Sequence, residues 1–415
     1  MKKYCLIGEH LSHSYSAEIH GLCGLHYELI EVKREDLKNF IAKDYDGFNI
    51  TIPYKKDIIP LLDVVDDSAK AIGAVNTVVK SGGKYYGYNT DLDGMRYALK
   101  RKGISLRGKR VMILGTGGTA LTAAALCKKQ RAKSVVKVSR FGEVNYENYR
   151  YFNDTEVVIN ATPVGMFPNS GVSPIDLIFL PQVKFVFDCI YNPFKTALIM
   201  QAEKLGIPCS DGLPMLVKQA LRAEEMWGET CGKDKVEEIV SALYFKKSNL
   251  VLCGMPSSGK TSLGKIVAGI LGKTFIDTDA EIYNETGKTP AEIIEKDGET
   301  AFRDIESETI KRVSGYSGAV IATGGGAILR DSNVCALKAN GVICYVKRDL
   351  SFLSVKNRPL SQINGIEKLF EERKSLYERA ADFSVENNGA LSVCARNIAH
   401  KFKEIKFNPK IKKQR

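Results

Sequence analysis

Gly254-Met255-Pro256-Ser257-Ser258-Gly259-Lys260-Thr261 decides the fold of the second half of this 415-residue chain. Just before it, Leu250-Val251-Leu252-Cys253 is a short apolar run with the character of a buried strand. Just after it, Leu263, Ile266, Val267, Ile270 and Leu271 recur at helical spacing, and Gly272 supplies a stop. Strand, glycine loop and amphipathic helix in that order form a phosphate cradle. Backbone N–H groups from Gly254, Ser257, Ser258, Gly259 and Ser262, with the helix N-terminus behind them, hold phosphate oxygens. Lys260 reaches the terminal phosphates and the Thr261 hydroxyl ligates Mg2+, so ATP is the expected ligand.

Towards the N-terminus a second glycine loop stands at the end of another apolar run. Val111-Met112-Ile113-Leu114 leads into Gly115-Thr116-Gly117-Gly118-Thr119-Ala120, followed by an Ala- and Leu-rich helix to about Gln130. Gly115, Gly117 and Ala120 fill the three positions of a dinucleotide fingerprint: tight turn, close approach of the pyrophosphate, and helix packing. Gly118 lies within the same turn. About 20 residues on, the run Val135-Val136-Lys137-Val138 ends in Ser139-Arg140, where a carboxylate would hold the ribose of NAD. A cation there favours the 2′-phosphate of NADP(H), with Glu143 close by as a competing acidic group.

Length alone predicts two or three domains. An apolar content of 44% fits a soluble globular enzyme. No run reaches the ~18 apolar residues of a membrane span, and Met1-Lys2-Lys3-Tyr4 passes directly into a strand, without a signal-peptide core. The ten cysteines are scattered without a Cys-x-x-Cys pair, which argues against zinc and for reduced thiols in the cytoplasm. The net charge of +12 is dispersed among acidic neighbours except in the basic run Lys401 to Arg415, read as a solvated tail. Small anionic ligands account for such a balance, with neither nucleic acid nor membrane as partner.

From Met1 to about Phe245 the chain resembles shikimate dehydrogenase in many separate blocks. Gly8 with His13-Ser14-Tyr15-Ser16 and His20 comes first, then Gly47 to Lys55, Gly73 to Thr77, and Gly87 to Asp91. Asn160 to Met166, Asp188 with Tyr191, Pro193 and Thr196, and Gly212 with Met215, Leu216, Gln219 and Ala220 complete the set. Reduction of a ketone by hydride needs a proton donor or stabilising charge beside the carbonyl oxygen, and a buried lysine next to a carboxylate is suited to that role. Lys55 and Asp91 are the expected pair, and the resemblance implies the same two. Ser14 and Ser16 are expected on the substrate carboxylate, and Thr51, Asn76 and Gln219 on the ring hydroxyls. The resemblance also places Met166 and Gly212 at the cofactor. His10 and Ala17 depart from the family pattern, which commonly has proline there.

Beyond the phosphate loop, Phe275-Ile276-Asp277-Thr278-Asp279 reads as a strand end with both carboxylates on one face. Asp277 is expected to support Mg2+, and Asp279 to take the acceptor hydroxyl's proton and contact the substrate. Gly298-Glu299 with Phe302, Arg303 and Glu306, then Gly324-Gly325-Gly326, Arg358-Pro359-Leu360, and Arg373 with Tyr377 and Ala380 resemble shikimate kinase over about Asn249 to Glu386. The resemblance implies that Arg303 and Arg373 grip the substrate carboxylate, that the backbone at Gly325 approaches the ligand, and that Arg358 reaches ATP from a lid. Lys347 to Asn357 is shorter than the family's usual stretch there.

The expected architecture is α/β throughout. A shikimate-binding domain, residues 1–91 plus 215–245, encloses a Rossmann-type NADP domain, 92–214. A linker at 246–249 leads to a P-loop kinase domain with a parallel sheet, 250–400, and a basic tail, 401–415. The expected function is a bifunctional enzyme that reduces 3-dehydroshikimate to shikimate with NADPH and phosphorylates shikimate to shikimate 3-phosphate with ATP. Two alternatives stand beside it: a quinate/shikimate dehydrogenase using NAD and fused to a small-molecule kinase, or one half acting as a ligand sensor without turnover.

Overall fold

The computed structural model describes residues 2–41, 43–229, 235–353 and 365–405. The described chain divides into two compact units, one up to Ala242 and one from Leu243 onward. The first contains two sheets. Strands β1 (Tyr4–Gly8), β2 (Tyr27–Glu31), β3 (Gly47–Ile50), β4 (Val64–Val65), β5 (Thr77–Ser81) and β6 (Lys84–Tyr88) form a mixed sheet in the order β2-β1-β3-β5-β6-β4. β6, next to the β4 edge, leads the chain into the helix Asp91–Arg101.

The second sheet is parallel: β7 (Arg110–Leu114), β8 (Ser134–Val138), β9 (Val157–Asn160), β10 (Phe185–Asp188) and β11 (Cys209–Ser210), in the order β11-β10-β9-β7-β8. Successive strands run away from β7 in opposite directions, so the crevice beyond its carboxyl end is the topological switch point where ligands bind in such folds. The alternation along β7 shows why the sheet is covered on both faces: Val111 and Ile113 enter one apolar cluster, Met112 and Leu114 the other.

The second unit repeats this logic with β12 (Asn249–Cys253), β13 (Thr274–Asp277), β14 (Ala319–Ala322), β15 (Gly341–Lys347) and β16 (Phe383–Glu386), all parallel, in the order β13-β14-β12-β15-β16. Val251 and Cys253 face one core, Leu250 and Leu252 the other. The switch point lies at β12, where the phosphate loop begins.

Three readings of the sequence change. The joint expected at 246–249 is structured: the helix Val236–Lys247 runs through Lys247, Ser248 alone intervenes, and Asn249 opens β12. The helix end is held by Lys273, whose Nζ donates to the carbonyls of Phe245, Lys246 and Ser248 at 2.8, 3.0 and 3.0 Å. These are carbonyls that a helix cannot satisfy itself. Burial lowers the Lys273 ammonium to about 8. The basic run also begins inside structure, since the last helix spans Leu391–Glu404; residues 406–415 lie outside the described residues. Finally, among the described residues eight cysteines are free while Cys23 is disulfide-bonded, so the expectation of reduced thiols does not extend to Cys23. Spacing along the chain could not reveal a pairing made by the fold.

Candidate active sites

In the first unit, Lys55 and Asp91 come together from two directions. Lys55 lies in the turn after β3, and Asp91 opens the helix Asp91–Arg101, whose N-terminal dipole favours a carboxylate. Lys55 Nζ donates to Asp91 Oδ2 at 2.5 Å, the side chains being 12% and 6% exposed. Asn76 Nδ2 donates to the other oxygen, Asp91 Oδ1, at 3.0 Å, and lies 3.1 Å from Gln219 Oε1. Thr90 closes the network: its backbone N–H donates to Asn76 Oδ1 at 2.7 Å, fixing the amide's orientation. Lys55 and Asn76, from two separate segments, thus meet at one carboxylate, and Gln219 joins through Asn76.

Ser14 and Ser16 stand at the start of the helix Ser16–Leu22, where Ser16 N donates to Ser14 Oγ at 3.2 Å. Tyr191, whose phenol burial pushes up to about 12, hydrogen-bonds the Ser14 side chain. Its sequence block gave no hint of that role. Thr51 follows β3 and is half-buried, its backbone N–H donating to Ile7 O at 3.0 Å. No side-chain bond ties it to the Asn76 network among the described residues.

The dinucleotide loop approaches the same pair. A Cβ on Gly118 would stand 3.0 Å from Lys55 Cβ, so glycine lets the loop lie against the lysine without pressing on it. At Gly115 the positive φ of 105° calls for glycine, and a Cβ there would meet Thr162 Cγ2 at 3.0 Å. Gly117, by contrast, caps the helix Gly118–Lys129 with nothing within 4 Å of a Cβ, leaving its backbone open to a pyrophosphate. Ala120 is buried in the core behind the loop. Ser139 and Arg140 follow β8, Arg140 being exposed and 5.8 Å from the Phe141 ring. Met166 is 40% exposed in the turn begun by Pro163. Gly212 is packed so closely that a Cβ would lie 2.1 Å from Cys189 O. Beneath this edge Asp188 accepts from Asn160 Nδ2, Ile190 N and Thr196 Oγ1 at 3.0, 3.0 and 2.7 Å. Burial pushes its carboxyl up to about 7, against the pull of those donors.

In the second unit a cavity of about 950 Å³ opens over the phosphate loop. Gly254 and Gly259 take φ of 147° and 91°, and Ser257 takes 65° without being glycine. A Cβ on Gly254 would lie 2.5 Å from Val346 O. Ser258 is wholly buried and its hydroxyl has no hydrogen-bond partner. Lys260 Nζ donates to the carbonyls of Gly254 and Met255, both at 2.9 Å. Thr261 and Ser262 are exposed on the first turn of the helix Lys260–Leu271. Thr261 Oγ1 donates to Asp277 Oδ2 at 2.7 Å.

The carboxylate pair departs from expectation. Asp277 ends β13, but Asp279 lies within the helix Thr278–Thr286, so strand alternation does not relate them. Asp277 is the helix N-cap, its Oδ1 accepting from the N–H groups of Asp279 and Ala280. Capping by Asp277 turned the chain into a helix two residues before the expected strand end at Asp279. Asp279 still lines the cavity, with Oδ1 3.0 Å from where a Gly324 Cβ would stand.

Arg303 lies on a helix that Gly298, at φ 88°, separates from the preceding turns. Its guanidinium is held by Glu306 at 2.7 Å and Glu299 at 3.0 Å. Burial opposes the Arg303 charge, and the two carboxylates outweigh it; burial also pushes the Glu306 carboxyl up while Arg303 pulls it down. The i+3 and i−4 spacing was a readable signal for both. A Cβ on Gly326 would strike this guanidinium at 2.3 Å, and one on Gly325 would meet Pro256 at 2.8 Å. Tyr377 donates to Gly325 O and also bonds Arg373, which is buried at the cavity wall. Arg358 lies outside the described residues, as does part of the shortened stretch before it.

The residues fit the implied groups. Thr261 and Asp277 offer a hydroxyl and a carboxylate beside the loop, enough for Mg2+ that otherwise binds phosphates and water. No cluster of three or more acidic, histidine or cysteine side chains able to hold a metal occurs among the described residues.

Known families match both units. A shikimate dehydrogenase substrate-binding domain model matches residues 6–78, and a shikimate kinase model residues 256–405. Shikimate dehydrogenase (NADP(+)) of Clostridium perfringens is 36% identical over 268 residues, 59% of this chain and 98% of the relative. The crystal structure of shikimate dehydrogenase 1 from Peptoclostridium difficile is 32% identical with a TM-score of 0.55, covering 58% of this chain and 97% of that one. A shikimate dehydrogenase solved in complex with NADP+ is 31% identical with a TM-score of 0.54, covering 58% and 94%. The chain belongs to the shikimate dehydrogenase family and carries a shikimate kinase domain behind it, joining an NADP-dependent oxidoreductase to a phosphotransferase of the shikimate pathway.

Proposed function

We propose that the two reactions run in sequence, 3-dehydroshikimate to shikimate at the first site and shikimate to shikimate 3-phosphate at the second. The observation that carries this reading is the Lys55–Asp91 pair lying directly against the dinucleotide loop at Gly118. NADPH, when bound, supplies the hydride. Lys55, aligned by Asp91, stabilises and protonates the carbonyl oxygen as the carbon accepts that hydride. Asn76 and Gln219 orient ring hydroxyls, and Ser14 and Ser16 hold the carboxylate. Arg140 selects NADP through its 2′-phosphate.

At the second site Arg303 and Arg373 hold the shikimate carboxylate. Asp279 accepts the proton of the 3-hydroxyl as its oxygen bonds the γ-phosphorus, and ADP departs with the broken bond's electrons. Lys260 neutralises charge on the transferring group. Thr261, with Asp277 behind it, would hold Mg2+. Among the described residues no helix is long and apolar enough to cross a membrane.

The test is a coupled reaction with 3-dehydroshikimate, NADPH and ATP in which shikimate 3-phosphate is detected. Formation only when both cofactors are present supports the reading. NADPH oxidation without a phosphorylated product, or faster rates on quinate with NAD, would replace it with one of the alternatives.

A further inference from the structure

Arg348 follows directly after β15, beside the phosphate loop, and no step of the chemistry so far uses it. Its side chain lines the same cavity as Ser257, Gly259 and Lys260. Its terminal nitrogen lies 3.4 Å from Ser257 O and 3.7 Å from where a Cβ on Gly259 would stand. That single long bond to a carbonyl is weak by the usual geometry of such contacts. The inner nitrogen, Nε, is shut off from solvent and has no hydrogen-bond partner. The Phe352 ring supports the guanidinium from 5.9 Å, and no described carboxylate pairs with it. The other two arginines of the cavity differ: Arg303 is held by two carboxylates, and Arg373 by Tyr377.

A partly desolvated cation with no counter-ion is costly unless an anion completes it. The glycine loop beside Arg348 is shaped for a polyphosphate, and a guanidinium fork matches phosphate oxygens two at a time. We propose that Arg348 is a nucleotide-binding residue of the kinase unit, contacting the polyphosphate of the donor beside the loop. The inference rests on the kinase reading above and adds a phosphate contact beyond Lys260 and the loop backbone. It also gives β15 a part in the site: the strand ends where its next residue reaches the loop.

Arg348→Gln in the full-length chain tests it. Glutamine can still donate to Ser257 O but carries no charge, which separates a phosphate contact from a mere clamp on the loop. With ADP as the probe, titration calorimetry should show affinity falling ~10- to 100-fold, the loss of one charge-assisted contact. KM for ATP should rise in parallel, while KM for shikimate stays within about twofold. Adenosine, lacking phosphates, should bind the parent and the variant alike, and Arg348→Lys should restore a large part of the ADP affinity. Unchanged ADP affinity would overturn the proposal. So would equal losses for ADP, adenosine and shikimate without rescue by lysine, which would make Arg348 a structural clamp. If the parent chain itself fails to bind ADP, the kinase reading falls first and takes this inference with it.

Discussion

Lys55 in the first unit and Lys260 in the second are both buried reactive lysines, yet they are anchored differently. Lys55 meets a carboxylate that is held in turn by an amide, and every link from Asp91 through Asn76 to Gln219 joins side chain to side chain. Lys260 donates to two backbone carbonyls, Asn387 donates to Ser258 O, and Tyr377 to Gly325 O. A proton-transfer site must fix one side chain's charge and direction, which neighbouring side chains do well. A phosphoryl-transfer site must present a row of N–H groups to an anion, so its supports act on the backbone of the loop. Substitutions should therefore act through a network in the first cleft and more locally in the second.

The largest effect is expected at Lys260. Lys260→Met removes charge at the transferring phosphate and should lower the phosphorylation rate on the order of 10³-fold, with NADPH oxidation unchanged. Stopped assays of both products on one preparation check this. Asp279→Asn should cost on the order of 10²-fold in the same assay through the acceptor hydroxyl. An unchanged rate would remove both roles given to Asp279.

The first cleft should respond to Lys55→Ala and Asp91→Asn with losses on the order of 10² to 10³ in NADPH oxidation and normal phosphorylation. The comparison sharpens at Asn76, which is not charged. Asn76→Ala removes the bonds that join Asp91 to Gln219 and hold Thr90, so it should lower kcat as well as raise KM. A pure KM effect would mean that the amide only touches substrate.

Both glycine loops were legible because each is a local pattern: strand, turn and helix follow one another within some 20 residues, and glycine is demanded at positions such as Gly115 and Gly254, which take a positive φ. The families' blocks led to the Lys55–Asp91 pair and to Arg303. What escaped depends on competition or on distance. Asp279 looked like a strand residue until the capping of the next helix by Asp277 is considered, which ends the strand before it. Tyr191 reaches Ser14, and Arg348 reaches Ser257, across long stretches of chain. In the sequence Arg348 is merely the second of two basic residues.

Cofactor preference should shift moderately. Arg140→Ala removes a cation expected on the 2′-phosphate, so KM for NADP should rise ~10- to 100-fold with NAD little affected. Equal losses for both cofactors would mark Arg140 as scaffold.

The smallest effect is expected from pH at Asp188, buried beneath the dinucleotide edge of the first unit. Its carboxyl, ordinarily near 3.8, is raised by burial to about 7, so folding favours the protonated form. The resulting stabilisation is full below about 3.8 and is lost as pH rises through about 7. Asp188→Asn is neutral at every pH and should fit the site. The amide oxygen can replace Oδ1 in accepting from Asn160 and Ile190, and the amide N–H can donate to the Thr196 hydroxyl, which is able to accept. Urea unfolding followed by the fluorescence of Trp227, the chain's single tryptophan and part of the same unit, reads the difference. Relative to the parent, the asparagine variant should gain on the order of 1–3 kcal/mol between pH 5 and pH 8. Parallel pH profiles would mean that Asp188 stays ionised in the fold, held by its three donors in spite of burial.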